Sequence, residues 1–244
     1  MSGAPLPLAG TFHEVSIASA DIRASVEFYE RLGFSQASTT DTFTHPYGVL
    51  SDGRLHLGLH ERAAPSPALT FVRPGLARAR AAFAHAGIEL ASCRTGEEVF
   101  NELGFSDPFG HAVAVLEART FSPVARGVTD TSLCGDFAQL SLPASDFAAA
   151  QAFWEPLGFV AAGEAAEPYP RLELTSDHLD IAFHSPALCP QPMIVFHAPD
   201  MSARLERLRA LGLALSPAPV SAAAGHARLT APEGTRLLLL QAED

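Results

Sequence analysis

The sequence predicts an α+β fold of two tandem domains, each assembled from two βαβββ units. Two observations predict it. The chain is written twice: residues 25–34, SVEFYERLGF, return as residues 150–159, AQAFWEPLGF, and Asp146 follows Asp21 by 125 positions. Downstream, Phe71 and Gly87 match Phe196 and Gly212 at the same offset, while His60, Pro108 and Gly110 match His184, Pro232 and Gly234 at 124. A single indel thus separates two complete copies, which is a domain duplication and not a short solenoid repeat. The second observation is a weaker echo inside each copy: Leu157-Gly158-Phe159 recurs 54 residues later as Leu211-Gly212-Leu213, and Leu32-Gly33-Phe34 recurs at the same distance as Ala86-Gly87-Ile88. The building unit is half a domain long.

The elements follow in order. Over 12–18, Val15 and Ile17 fall on one face and Glu14 and Ser16 on the other, the alternation of a half-buried strand. Asp21 is placed to cap a helix in which Ile22, Val26, Tyr29 and Leu32 recur at helical spacing, and Gly33 ends it. Strands are expected over 35–39, 46–50 and 55–60, the last two joined by a Ser51-Asp52-Gly53 turn. The second unit repeats the order with a strand over 69–73, a helix over 76–86, and strands near 88, over 98–105 and over 112–117, the last entered through Asp107-Pro108-Phe109-Gly110. The aperiodic stretch 119–135 reads as a linker. The expected domains are therefore 8–118 and 136–244, with eight strands apiece.

Composition bounds the function. The chain has 244 residues, 48% of them hydrophobic, and a formal charge of −11 in which all 16 basic residues are arginine. That balance argues against nucleic acid or an anionic membrane as partner and favours a neutral or cationic small organic molecule. No apolar run approaches a bilayer span, and the N-terminus lacks a basic leader segment, so the expectation is a cytoplasmic protein, monomeric or homodimeric. Three cysteines without metal spacing fit a reducing compartment. The lack of lysine beside abundant Ala, Arg, Gly and Pro fits GC-rich bacterial coding. No phosphate loop, nucleophile elbow or basic aromatic patch is present, which removes nucleotide hydrolysis, serine hydrolase chemistry and nucleic-acid binding.

Paired βαβββ units with a helix ending FYERLGF or FWEPLGF and a late DPFG or APEG turn resemble the vicinal oxygen chelate superfamily. Glyoxalase I, extradiol dioxygenases and bleomycin-resistance proteins belong to it. The resemblance implies that each pair of units curls into a cup-shaped mixed sheet with helices on the convex side. It further implies metal ligands at Glu14 and Gln139 on the first strand of each copy, at Ala114 and Leu238 on the last, and near Pro67-Ala68 and Pro192-Met193 at the start of the fifth strand. Several of those positions cannot ligate, so the resemblance points more to the drug-binding, bleomycin-resistance branch than to a metal-dependent enzyme.

Strand phase selects the residues that face the cups. Leu55, Leu57 and Leu59 share one face, so His56 and His60 take the other; Asp180 and His184 occupy the matching places in copy two. With the first strands included, the expected ligand-binding sets are Glu14, Ser16, His56 and His60, and Gln139, Ser141, Asp180 and His184. By strict alternation, adjacent His13 and Glu14 take opposite faces, and Glu14 is the one assigned to the cup. The expected cofactor is none. The alternative is an enzyme of the same superfamily, a lyase, isomerase or dioxygenase, that holds one divalent metal ion on Glu14, His56 and His60 or uses a metal-free general base.

Overall fold

The structure, a computed structural model, describes residues 7–38, 43–117, 132–220 and 225–242. Most of the expected linker lies outside these residues.

Copy one runs β1 (Thr11–Ala18), α1 (Ile22–Arg31), β2 (Ser35–Ala37), β3 (Tyr47–Ser51), β4 (His56–His60), then β5 (Ala68–Arg73), α2 (Leu76–His85), β6 (Leu90–Arg94), β7 (Glu102–Ser106) and β8 (Ala112–Glu117). Copy two runs β9 (Asp136–Pro143), α3 (Phe147–Trp154), β10 (Val160–Ala165), β11 (Arg171–Thr175), β12 (Asp180–His184), then β13 (Met193–Ala198), α4 (Met201–Ala210), β14 (Ala227–Thr230) and β15 (Arg236–Gln241). The helix starts follow from capping: Asp21 accepts from the Ala24 N–H and Asp146 from the Ala149 N–H, each at 3.0 Å. Both Leu-Gly-Phe corners turn on a glycine with positive φ, +94° at Gly33 and +107° at Gly158, a conformation other residues adopt only with strain.

The first sheet has the order β2-β3-β4-β1-β5-β8-β7-β6. Each unit supplies a four-strand block, parallel where β1 meets β4 and β5 meets β8, and the blocks join through the antiparallel β1–β5 pair. The second sheet repeats the order as β10-β11-β12-β9-β13-β15-β14, with seven strands among the described residues against the eight expected. At the eighth place a single bridge joins Ser216 to Arg228. The cause is local: Pro217 and Pro219 carry no N–H to donate, so the segment cannot extend a ladder along β14.

A second departure from the sequence reading concerns β1. Phe12 and Val15 both enter the core, and the β1–β5 register skips from Phe12 to Glu14. A bulge at His13 absorbs the extra residue, so His13 and Glu14 both turn away from the core. Copy two has the same bulge at Ala138, between Phe137 and Gln139.

The helix-bearing faces of the two sheets share one core. Val15, Ile17, Leu57, Leu59 and Phe71 of copy one are continuous with Leu140, Ile181, Phe183 and Phe196 of copy two. Ring contacts cross between copies at Phe34–Phe196, Phe71–Phe159 and Phe105–Phe153, with centroids 6.2 to 6.4 Å apart. At roughly 1.5–3 kcal/mol for each large side chain buried, this shared layer is the main source of cohesion between the copies. Polar contacts lock it reciprocally. Tyr29 of α1 donates to Glu233 in the last turn of copy two at 2.8 Å, and Trp154, its counterpart in α3, donates to Asp107 in the last turn of copy one at 3.3 Å. The concave faces lie away from this layer.

Candidate functional site

In copy one the concave face carries a buried polar cluster centred on Glu14, whose side chain is 2% exposed. Tyr47 donates to Glu14 Oε2 at 2.6 Å, Ser16 donates to Oε1 at 2.7 Å, and His60 Nε2 lies 3.1 Å from Oε1. Thr70, on the neighbouring strand, stands 2.7 Å from the Ser16 hydroxyl. Burial alone pushes the Glu14 carboxyl up, yet the hydrogen bonds from His60 and Tyr47 hold it below the ordinary carboxylate value. The carboxylate lies over Gly58 of β4, where an added Cβ would meet its atoms at 2.1 to 2.2 Å. Only glycine leaves room for it.

His60 also contacts His45, with 2.9 Å between His60 Nδ1 and His45 Nε2. Phe43 packs on His45, Tyr47 and His60 at centroid distances of 4.6 to 5.2 Å. With Phe100, it also covers Val72 and Leu116. Of the four residues expected to line this cup, Glu14, Ser16 and His60 come together. His56 is half-buried at the start of β4 and does not join them into a metal centre: among the described residues no three His, Cys, Asp or Glu side chains converge to hold an ion.

Copy two builds its cup differently. Gln139 replaces Glu14, and its amide donates to the Tyr169 hydroxyl at 3.4 Å; Tyr169 donates to Ser141 at 3.2 Å. Ser141 lies 2.8 Å from His184 Nδ1, and His184 Nε2 lies 3.0 Å from the Cys189 carbonyl. Because a carbonyl can only accept, His184 carries its proton on Nε2 and takes the Ser141 hydroxyl at Nδ1. Burial pushes its pKa down to about 4. Ser141 and His184 are fully buried and lie beneath the cup surface, not in the wall of its cavity.

That cavity, of about 830 Å³, is bounded by Gln139, Ala162, Glu173, Asp180, His197 and His226 among others. Gln139 and Asp180 are thus in the wall as sequence phase placed them, and His197 and His226 are two wall residues that the sequence reading left unassigned. For His197 the signal was present: Met193 and Val195 alternate with it on the same face of β13. His226 precedes β14 and accepts the Gln241 N–H at Nδ1, at 3.0 Å; burial lowers its pKa. The wall holds Glu167, Glu173 and Asp180 against Arg171, which is paired with Glu173 at 2.7 Å and lies 5.1 Å from the centre of the Tyr169 ring. Two carboxylates are left over.

The metal positions implied by the resemblance do not fit an ion. The concave row in copy one runs Glu14–Thr70–Ala114, and in copy two Gln139–Val195–Leu238. The last-strand place holds a methyl group in one and an isobutyl group in the other. In copy two Met193, Leu238, Tyr169 and Cys189 pack there as an apolar plug. Hydrocarbon cannot complete a coordination sphere.

Comparison with known proteins agrees with this fold. Residues 11–115 match the profile of the Glyoxalase/Bleomycin resistance protein/Dioxygenase superfamily. The first copy belongs to that superfamily, and the second has the same fold. The chain is similar in structure to the 2,3-dioxygenase LapB from Pseudomonas sp. KL28, with TM-score 0.63 and 14% identity over 96% of this chain and 92% of that one. It is also similar to homoprotocatechuate 2,3-dioxygenase from Arthrobacter globiformis, with TM-score 0.61 and 17% identity over 97% and 81%. The Mn(II)-bound glyoxalase from Novosphingobium aromaticivorans gives TM-score 0.60 and 15% identity over 93% and 80%. At such identities the likeness is one of fold. No curated protein matches the chain.

Proposed function

We propose that this protein binds a small, neutral or cationic organic molecule in the cup of its second copy, without a metal ion. The observation that carries the reading is the cavity of about 830 Å³ on that concave face. Its size suits a drug-sized ligand, and its wall combines apolar Ala162, Leu174, Val195 and Leu240 with a few convergent polar groups. The surplus of Glu167 and Asp180 over Arg171 favours a positive charge in the ligand and disfavours a negative one. Sequestration of a toxic compound is the physiological role such a site supports. The protein is expected to act in the cytoplasm, as a monomer or homodimer, with no nucleic acid or membrane partner.

The test is a thermal-shift screen with matched neutral, cationic and anionic aromatic compounds. A ligand at one hundred times its dissociation constant stabilises the native state by about 2.7 kcal/mol, a readily measured rise in melting temperature. Neutral or cationic members are expected to raise it. Shifts confined to anions, or appearing only after divalent metal is added, would overturn the reading.

A further inference from the structure

The polar cluster of copy one is not repeated in copy two, and its hydrogen-bond order has a direction. Glu14, as a carboxylate, only accepts; it therefore takes the Tyr47 and Ser16 hydroxyl protons and the Nε2 proton of His60. With its proton on Nε2, neutral His60 accepts at Nδ1, so His45 must donate from Nε2 across their 2.9 Å contact. The lone pair of His45 Nδ1 is left at the outer end, and among the described residues it has no hydrogen-bond partner. Glu14 and His60 are 2% and 4% exposed, whereas His45 is half-buried and reachable. The geometry points to a metal-free general-base site in the first cup, with His45 as the catalytic residue and His60 and Glu14 as positioning residues. Its substrate class is a flat, uncharged carbon acid.

Each link has a physical reason. When His45 takes a proton at Nδ1, its Nε2 proton can pass to His60. The positive charge then rests beside a buried carboxylate, where low dielectric makes the ion pair strong. Phe43, tilted 38° to the His45 ring, and Phe100, which with it covers the buried Val72 and Leu116, offer an apolar surface for a planar substrate. The negative charge on Glu14 disfavours an anionic one. By strand register the matching positions in copy two, counted from His184, hold Tyr169 in place of His45 and Arg171 in place of Tyr47, while Gln139 replaces Glu14 and the Cys189 carbonyl fixes the His184 proton. Among the described residues copy two has no such base.

This site is independent of the ligand cavity, so its failure would leave the binding proposal standing. The probe is nitrobenzisoxazole. His45 would remove the ring C–H proton, the C–H electron pair would become part of the new nitrile triple bond, and the N–O bond would break to release a coloured phenolate. Initial rates should be measured with EDTA present on the native protein, His45→Gln, Glu14→Gln and His85→Gln, the last altering an exposed histidine of α2, with folding checked by thermal melts. His45→Gln is expected to lower kcat by about 100-fold. Glu14→Gln should lower kcat by about tenfold with KM unchanged, since it weakens the base without altering the apolar surface. His85→Gln should match the native protein. Equal rates for the native protein and His45→Gln, or a rate that vanishes with EDTA and returns with a divalent metal, would overturn the proposal.

Discussion

At the scale of single residues, the two histidines at matching places have opposite roles. His60 lies between a carboxylate and a second imidazole, whereas His184 lies between a hydroxyl and a carbonyl at a buried position, and it is the burial that holds it neutral. The lowered pKa of His184, about 4, has a consequence for stability. Between the unfolded value near 6.5 and the folded value the unfolded chain binds more protons, so stability is full above about pH 6.5 and falls as pH drops toward 4, by up to about 3 kcal/mol. Urea titrations from pH 7 to pH 4.5 should show that fall in the native protein and a shallower one in His184→Gln. Parallel slopes would mean that His184 protonates as easily when folded. Gly58 gives a second residue-scale prediction. Gly58→Ala places a Cβ against the pinned Glu14 carboxylate and should cost about 1–3 kcal/mol in chemical denaturation. The same position in copy two is already Ala182, which pairs with Ser141 in the strand register.

At the scale of elements, the sequence carried most of the fold. The duplicated helix motif, the Asp caps and the leucine phase of β4 were enough to place the βαβββ units, because each is a local signal repeated four or two times along the chain. Three features were not legible. The bulge at His13 inverts the phase of one strand end, and nothing in the residues marks where an extra one is inserted. The prolines at 217 and 219 were visible, but their effect appears only once β14 is known to need a partner there. The pairing of His45 with His60 joins residues across a β3–β4 turn, and no local spacing reveals which imidazoles meet. Of the site residues, Glu14, Ser16, Gln139 and Asp180 were reached through alternation. His197 and His226 belong to no motif in the sequence, and only the fold brings them to the cavity wall.

At the scale of the whole molecule, the copies are coupled through their helices and final turns, so they should unfold together. Tyr29→Phe removes the donor to Glu233 and leaves that carboxylate without it, at an expected cost of about 1–3 kcal/mol. The loss should appear as a lower midpoint of one shared transition followed by both near- and far-ultraviolet circular dichroism. Two separated transitions would contradict the shared core. Among the described residues no helix is long and apolar enough to cross a membrane. With one concave face built around the buried Glu14 cluster and the other around a cavity of about 830 Å³, duplication has produced two unlike concave faces.

The central claim is that ligand occupies the second cup, and filling that cup tests it most directly. Ala162 lies in the cavity wall on β10, near the sheet edge, where a larger side chain projects into the space with little disturbance of the core. Equilibrium dialysis of the tightest compound from the thermal-shift screen should be run on the native protein and on Ala162→Trp under identical conditions. The account predicts binding near one molecule per native chain and at least a tenfold weaker affinity in the variant, about 1.4 kcal/mol. Unchanged affinity in a folded Ala162→Trp protein would contradict it.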